Sequence, residues 1–87
     1  MAGDNITDRG WLIIVISVKK ESFATARIKS GYSITRLAKT VGAAQSYMSL
    51  IVNNKKNPSP EMAKRICDAL NVKFDDVFYI KGNNKMV

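Results

Sequence analysis

Gln45, Ser46, Ser49 and Asn53 are the residues whose types and spacing point most directly to chemistry. At about 100° per residue they fall on one side of a helix running from about Ala44 to Asn53, with Tyr47, Met48 and Ile51 on the other. Their side chains are short enough to let a helix axis come close to a flat polar surface. Their amide and hydroxyl groups can donate to or accept from base edges in a DNA major groove, where glutamine pairs with adenine through two hydrogen bonds. A solvated surface helix has the same periodicity, so this face alone leaves both readings open. Lys55 and Lys56 follow at once in the run Asn53-Asn54-Lys55-Lys56-Asn57 and add two cations suited to phosphate.

A face of this kind needs elements to hold it. Ser33 can cap a helix running to about Val41, in which Leu37, Ala38 and Val41 form an inward stripe. Ala38 permits close approach, and Gly42 supplies the positive φ of a tight turn at Val41-Gly42-Ala43. Residues 33 to 59 therefore look like a helix-turn-helix. Before them, Phe23, Ala26 and Ile28 can face inward from a helix of about Glu21 to Ser30, which Gly31 terminates at C′. After them, Ser59-Pro60-Glu61 combines an N-cap, a proline at N1 and a first-turn acid. That helix runs to about Leu70 and buries Met62 or Ala63, Ile66, Cys67 and Leu70. Val72, Phe74, Val77 and Phe78 predict a short fifth helix closing the core, and Gly82 to Val87 reads as a frayed tail.

The N-terminal run Trp11-Leu12-Ile13-Ile14-Val15-Ile16-Ser17-Val18 is rich in β-branched residues and reads as a strand. A lone strand beside helices leaves a row of unpaired backbone groups. Antiparallel pairing with the same strand of a second subunit is the expected solution, with Trp11, Leu12, Ile13, Ile14, Val15, Ile16 and Val18 as the interface. The competing possibility is a strand folded on its own helices and paired with the Tyr79-Ile80 region. Three segments result: an arm and strand over 1–20, a helix-turn-helix domain over 21–80, and a flexible tail over 81–87.

Composition narrows the function class. The 87 residues fit one compact domain with little room for a catalytic cleft. The chain has no histidine and one cysteine, so neither a multi-ligand metal site, nor a Ser-His or Cys-His dyad, nor a disulfide framework is supported. No enzyme activity, metal or cofactor is expected. The formal charge is +7, and residues 19 to 65, with ten Lys/Arg against two Glu, carry +8 of it. Such a field attracts phosphate polyanions without reading sequence. The N-terminal apolar run is far shorter than the about 20 residues needed to span a bilayer. Acidic Asp4 and Asp8 occupy the place of a signal peptide's basic region, so a cytoplasmic protein is expected.

Taken in order, GYSITRLAKTVG, QSYMS, NPSPEMAKRICDAL and NVKFDDVF resemble the Cro/C1-type helix-turn-helix domain, or Xre family, over residues 22 to 79. The resemblance implies a mainly α fold, a five-helix lambda-repressor-like bundle, here with an N-terminal β-strand. It implies double-stranded DNA as partner, helix 3 as the recognition helix, and a role such as phage or mobile-element repressor, bacterial regulator or antitoxin. A homodimer on an operator with two half-sites is the expected working form. By position, Gln45, Ser46 and Ser49 match base-reading residues of the family, and Leu50 can touch a thymine methyl. Ser33, Arg36, Tyr47, Asn53, Lys55 and Lys56 fall where phosphate contacts occur. The chain also departs from the family pattern. Ile34 replaces a polar phosphate-binding residue, Leu50 a polar or basic one, and Val52 a common Glu that pairs with a helix 1 arginine, here Arg27. Loss of that Glu leaves Arg27 free for phosphate or solvent, and Asn54 replaces a frequent glycine. An alternative follows from these departures: Ile34, Leu50 and Val52 form a surface for a protein partner, in an antitoxin-like module with weak DNA binding.

Overall fold

The computed structural model describes residues 12–84, with side chains from Val15 to Gly82. Strand β1 (Leu12–Val18) leads into helices α1 (Lys20–Lys29), α2 (Ile34–Val41), α3 (Gln45–Val52), α4 (Pro60–Leu70) and α5 (Phe74–Val77), and strand β2 (Phe78–Asn84) closes the described chain. The mainly helical, five-helix expectation holds. The partner of the first strand differs from the favoured expectation.

β1 pairs with β2 of the same chain, antiparallel, with Val18 opposite Phe78, Ile16 opposite Ile80 and Leu12 opposite Asn84. The tail expected from residue 81 is therefore strand as far as Asn84. The reason lies at Phe78, which is fully buried, meets Phe23 edge-on with centroids 6.0 Å apart, and packs at a tilt against Phe74 at 5.3 Å. Anchored there, the chain leaves α5 in extended form alongside β1, and Lys19 N–H donates to the Val77 carbonyl at 2.9 Å to lock the junction. Ile16 and Val18, expected at a subunit interface, belong instead to the chain's own core. Val15 is half-buried. Leu12, Ile13 and Ile14 are described by backbone alone, and Trp11 lies outside the described residues.

The core is built from the expected stripes: Phe23 of α1, Leu37, Ala38 and Val41 of α2, Met48 and Ile51 of α3, Ala63, Ile66, Cys67 and Leu70 of α4, then Val77 and Phe78. Ile28 is the exception at 66 % exposure, because the α1 stripe is carried by Phe23 with Ala26 half-buried beside it. Helices α1 to α4 all close in the same way. A residue with positive φ follows each (Gly31, Gly42, Asn54 and Asn71), and carbonyls of the last turn are taken by the N–H groups of that residue and the one after it. Nothing lies within 4 Å of a Cβ placed on Gly42, so its φ of 77° is what calls for glycine.

Candidate nucleic-acid interface

α2 is set by its N-cap: Ser33 Oγ accepts the Arg36 backbone N–H at 3.0 Å. That bond uses the oxygen as acceptor and leaves the hydroxyl hydrogen able to donate to a phosphate. Arg36 extends over the Tyr32 ring, its guanidinium carbon 5.7 Å from the centroid, which holds the cation at the surface. After the Gly42 turn, α3 begins at Gln45, and its N-cap residue Ala44 supplies no side-chain bond.

α3 divides as its periodicity predicts. Met48 and Ile51 have no exposure and Tyr47 and Val52 are half-buried, whereas Gln45, Ser46, Ser49, Leu50 and Asn53 are exposed. The exposed residues occupy a continuous arc of roughly 140° at 3.6 residues per turn. The polar groups are thus gathered on one face, with Leu50, 43 % exposed, at its margin. Asn53 Nδ2 donates to the Ser49 carbonyl at 2.9 Å, so this side chain also finishes the helix. Tyr47 packs against the core while keeping partial exposure, a setting in which its ring is structural and its hydroxyl can serve at the surface.

The loop after α3 carries exposed Lys55 and Lys56 and is fixed by two asparagines that the motif did not reveal. Asn54 Oδ1 accepts the Val18 N–H at 2.9 Å, and its Nδ2 donates to the Val18 carbonyl at 3.0 Å. Asn57 Nδ2 donates to the Ile16 carbonyl at 2.9 Å. These side chains act like a short additional strand along the outer edge of β1, and they hold the two lysines against the body of the protein. The one signal in sequence was asparagine where the family frequently has glycine. Asn54 adopts φ 58°, a region asparagine enters more readily than other side chains, and its carboxamide is then spent on β1.

Two departures from the family pattern, and the arginine they bear on, also find their places. Ile34 and Val52 are half-buried and pack against the core, and with Lys20, Phe23, Ala24 and Arg27 they line a groove of about 210 Å³. Arg27 is not free. Its Nη1 donates to the Tyr32 carbonyl at 2.7 Å, tying down the chain between α1 and α2.

Among the described residues no group of three or more His, Cys, Asp or Glu is placed to hold a metal ion, and no helix is long and apolar enough to cross a membrane. Cys67 is a buried free thiol, and burial, reinforced by Asp68 and Asp76, pushes its pKa above the ordinary value. That favours the unreactive protonated form.

Comparison with known proteins places this geometry in context. The family model HTH_3, described as helix-turn-helix, matches residues 23–77, so the two strands flank the matched segment. The chain is similar to the "Uncharacterized HTH-type transcriptional regulator YgzD" of Bacillus subtilis (strain 168), 32 % identical over 65 residues that make up 75 % of this chain and 98 % of that protein. Among solved structures it is similar to the master regulator for biofilm formation SinR in complex with DNA, at TM-score 0.58 and 32 % identity, covering 64 % of this chain and 90 % of that one. The clp gene regulator ClgR from C. glutamicum shares the fold at TM-score 0.58 and 23 % identity, covering 66 % of this chain and 74 % of that one.

Proposed function

The chain belongs to the HTH_3 family of helix-turn-helix proteins, the Cro/C1-type or Xre class of DNA-binding transcriptional regulators, and from that premise we propose that it is a sequence-specific repressor acting on double-stranded DNA inside the cell. The exposed arc of α3, polar from Gln45 to Asn53 and backed by buried Met48 and Ile51, is the observation that carries this reading. In the proposal α3 lies in the major groove. Gln45, Ser46 and Ser49 meet base edges through hydrogen bonds, and Leu50 meets a thymine methyl. Ser33, Arg36, Tyr47, Asn53, Lys55 and Lys56 contact phosphates on either side, fixing register without reading sequence. The relative SinR, solved in complex with DNA, supports the same use of the matched segment. Two chains on one operator, with half-sites about 34 Å apart, complete the working form, and occupancy of the operator blocks polymerase.

The packing favours DNA over the protein-docking alternative. Ile34 and Val52 are half-buried and pack against the core, which reduces the apolar surface they offer beside exposed Leu50. Selection of binding sites from genomic DNA by the purified chain, followed by titration at rising salt, tests the proposal. A selected two-fold motif with salt-sensitive binding is expected. No binding even at low salt overturns it.

A further inference from the structure

The sheet has two outer edges, and they are not equivalent. Along β1, Asn54 takes both the N–H and the carbonyl of Val18, and Asn57 takes the carbonyl of Ile16. The even-numbered residues of β1 therefore point their backbone groups away from β2. In an antiparallel ladder a residue's N–H and carbonyl point to the same side, so the pairs Val18–Phe78 and Ile16–Ile80 are of the type without mutual hydrogen bonds. It follows that the backbone groups of Phe78, Ile80 and Gly82 also point away from β1, along the outer edge of β2. The Phe78 N–H is already given to the Phe74 carbonyl. Among the described residues, the outward groups of Ile80 and Gly82 and the Phe78 carbonyl remain as a hydrogen-bonding edge, next to Ile80 at 61 % exposure and Tyr79 at 41 %.

The geometry points to β2 as the surface through which two copies of this chain join, antiparallel, about a two-fold axis at Ile80. This rests on the proposed function only in that two chains act on one operator. In that register Ile80 pairs with Ile80 of the second copy through two backbone bonds, and each Gly82 N–H reaches a Phe78 carbonyl across the axis. Side chains select the same register. Ile16 already stands opposite Ile80, so a row of four isoleucines crosses the joined sheet on the face toward the helices. On the other face each Lys81 lies opposite a Tyr79 ring, a cation over an aromatic, whereas an axis at Lys81 sets two ammonium groups against each other. The row borders an apolar groove of about 550 Å³, lined by Ile16, Ile80, Pro58, Cys67, Val72 and Phe74, which the second copy's Ile80 helps to cover. β1 is a poorer candidate, because its edge is closed at Ile16 and Val18.

Two substitutions at one position separate edge pairing from folding. The Ile80 N–H faces outward, so Ile80→Pro removes an intersubunit donor and leaves the β1–β2 ladder its bonds. Ile80→Lys sets like charges together at the axis. Sedimentation and light scattering of the full chain without DNA are expected to show a dimer, with each variant dissociating at concentrations at least about 10-fold higher. Circular dichroism and thermal unfolding verify that the variants fold. In the Ile80→Cys variant, mild oxidation is expected to give a covalent dimer, since the Cα separation of such a pair, about 5.5 Å, lies in disulfide range. A chain monomeric at all concentrations, or variants that dimerise as well as the unchanged chain, overturns the proposal. DNA titration of the same samples reads the DNA-binding function independently, because a monomer that still binds DNA removes only the β2 interface.

Discussion

Replacing Asn54 by glycine isolates what the bond between the α3–α4 loop and β1 contributes. Glycine keeps the positive φ of 58° at no steric cost and deletes the carboxamide that takes Val18 N–H at 2.9 Å and gives to its carbonyl at 3.0 Å. Two such bonds contribute about 2 kcal/mol at about 1 kcal/mol each. Because both are only partly buried, water can replace the lost partner and no further desolvation cost arises. Relief of the asparagine's residual left-handed strain and the added freedom of glycine in the unfolded chain are each below about 1 kcal/mol and oppose one another. Asn54→Gly should therefore lower stability by about 2 kcal/mol, or Tm by about 8–16 °C in a domain of this size. Asn54→Ala loses the same bonds and adds about 1–2 kcal/mol of strain, so it should fall further. Thermal and urea unfolding give the order, and amide exchange locates the effect: Val18 should exchange faster, while Lys19, whose N–H is held by Val77, changes less. If Asn54→Gly melts at or above the unchanged chain, the paired bonds contribute nothing and the account of the loop is wrong.

Other expectations test the proposed reading face and the core. Gln45→Ala should relax base preference at one operator position, worth about 1–3 kcal/mol of discrimination, and site selection with the variant would show an unchanged motif if Gln45 reads nothing. Lys55→Ala should weaken binding to all sequences alike and reduce the slope of log affinity against log salt by about one unit, measured by titration at several salt concentrations. Met48→Ala, at a site with no exposure, should cost about 2–5 kcal/mol in urea unfolding, and a loss below about 1 kcal/mol would contradict its placement. The raised pKa of Cys67 means that folding retains a proton the unfolded chain releases, so its contribution is intact below the ordinary thiol value of 9.0 and declines above it. Cys67→Ala should flatten the fall in stability with rising pH above 9, relative to the unchanged chain.

The helices were legible because their signals are local. Ser33 and Ser59 cap where expected, with their side chains accepting from Arg36 and Met62, and the stripes of α2 and α4 bury the residues their spacing assigns. The division of α3 into a polar and an apolar face needed nothing beyond its period. The β2 strand was harder to see, since FYIKGNN shows no clear alternation and contains glycine and asparagine, both disfavoured in strands. Its extended form comes from Phe78 seated in the core and from β1 lying alongside, contacts about 60 residues apart in sequence that no local pattern carries. The asparagine bonds to β1 were hidden for the same reason: Asn54 and Val18 are 36 residues apart.

The apolar departures at Ile34 and Val52 make sense together with Arg27, and not one by one. A glutamate at the position of Val52 commonly pairs with the arginine in this family. Here Val52 and Ile34 line the same groove as Arg27, and each packs against the core. With an apolar neighbour in place of a carboxylate, the guanidinium finds its partner in the Tyr32 carbonyl, just past the end of α1. The substituted contacts keep α1, α2 and α3 tied at one corner, with burial in place of an ion pair that would stand half in water and contribute little. The departures at Ile34 and Val52 thus concern how α3 is held, while Gln45, Ser46 and Ser49, beginning next to Val52 on the helix surface, keep an exposed polar face. Packing at Ile34 and Val52 therefore accounts for two of the departures as scaffold contacts, and Leu50 is the departure that stands on the exposed face of α3.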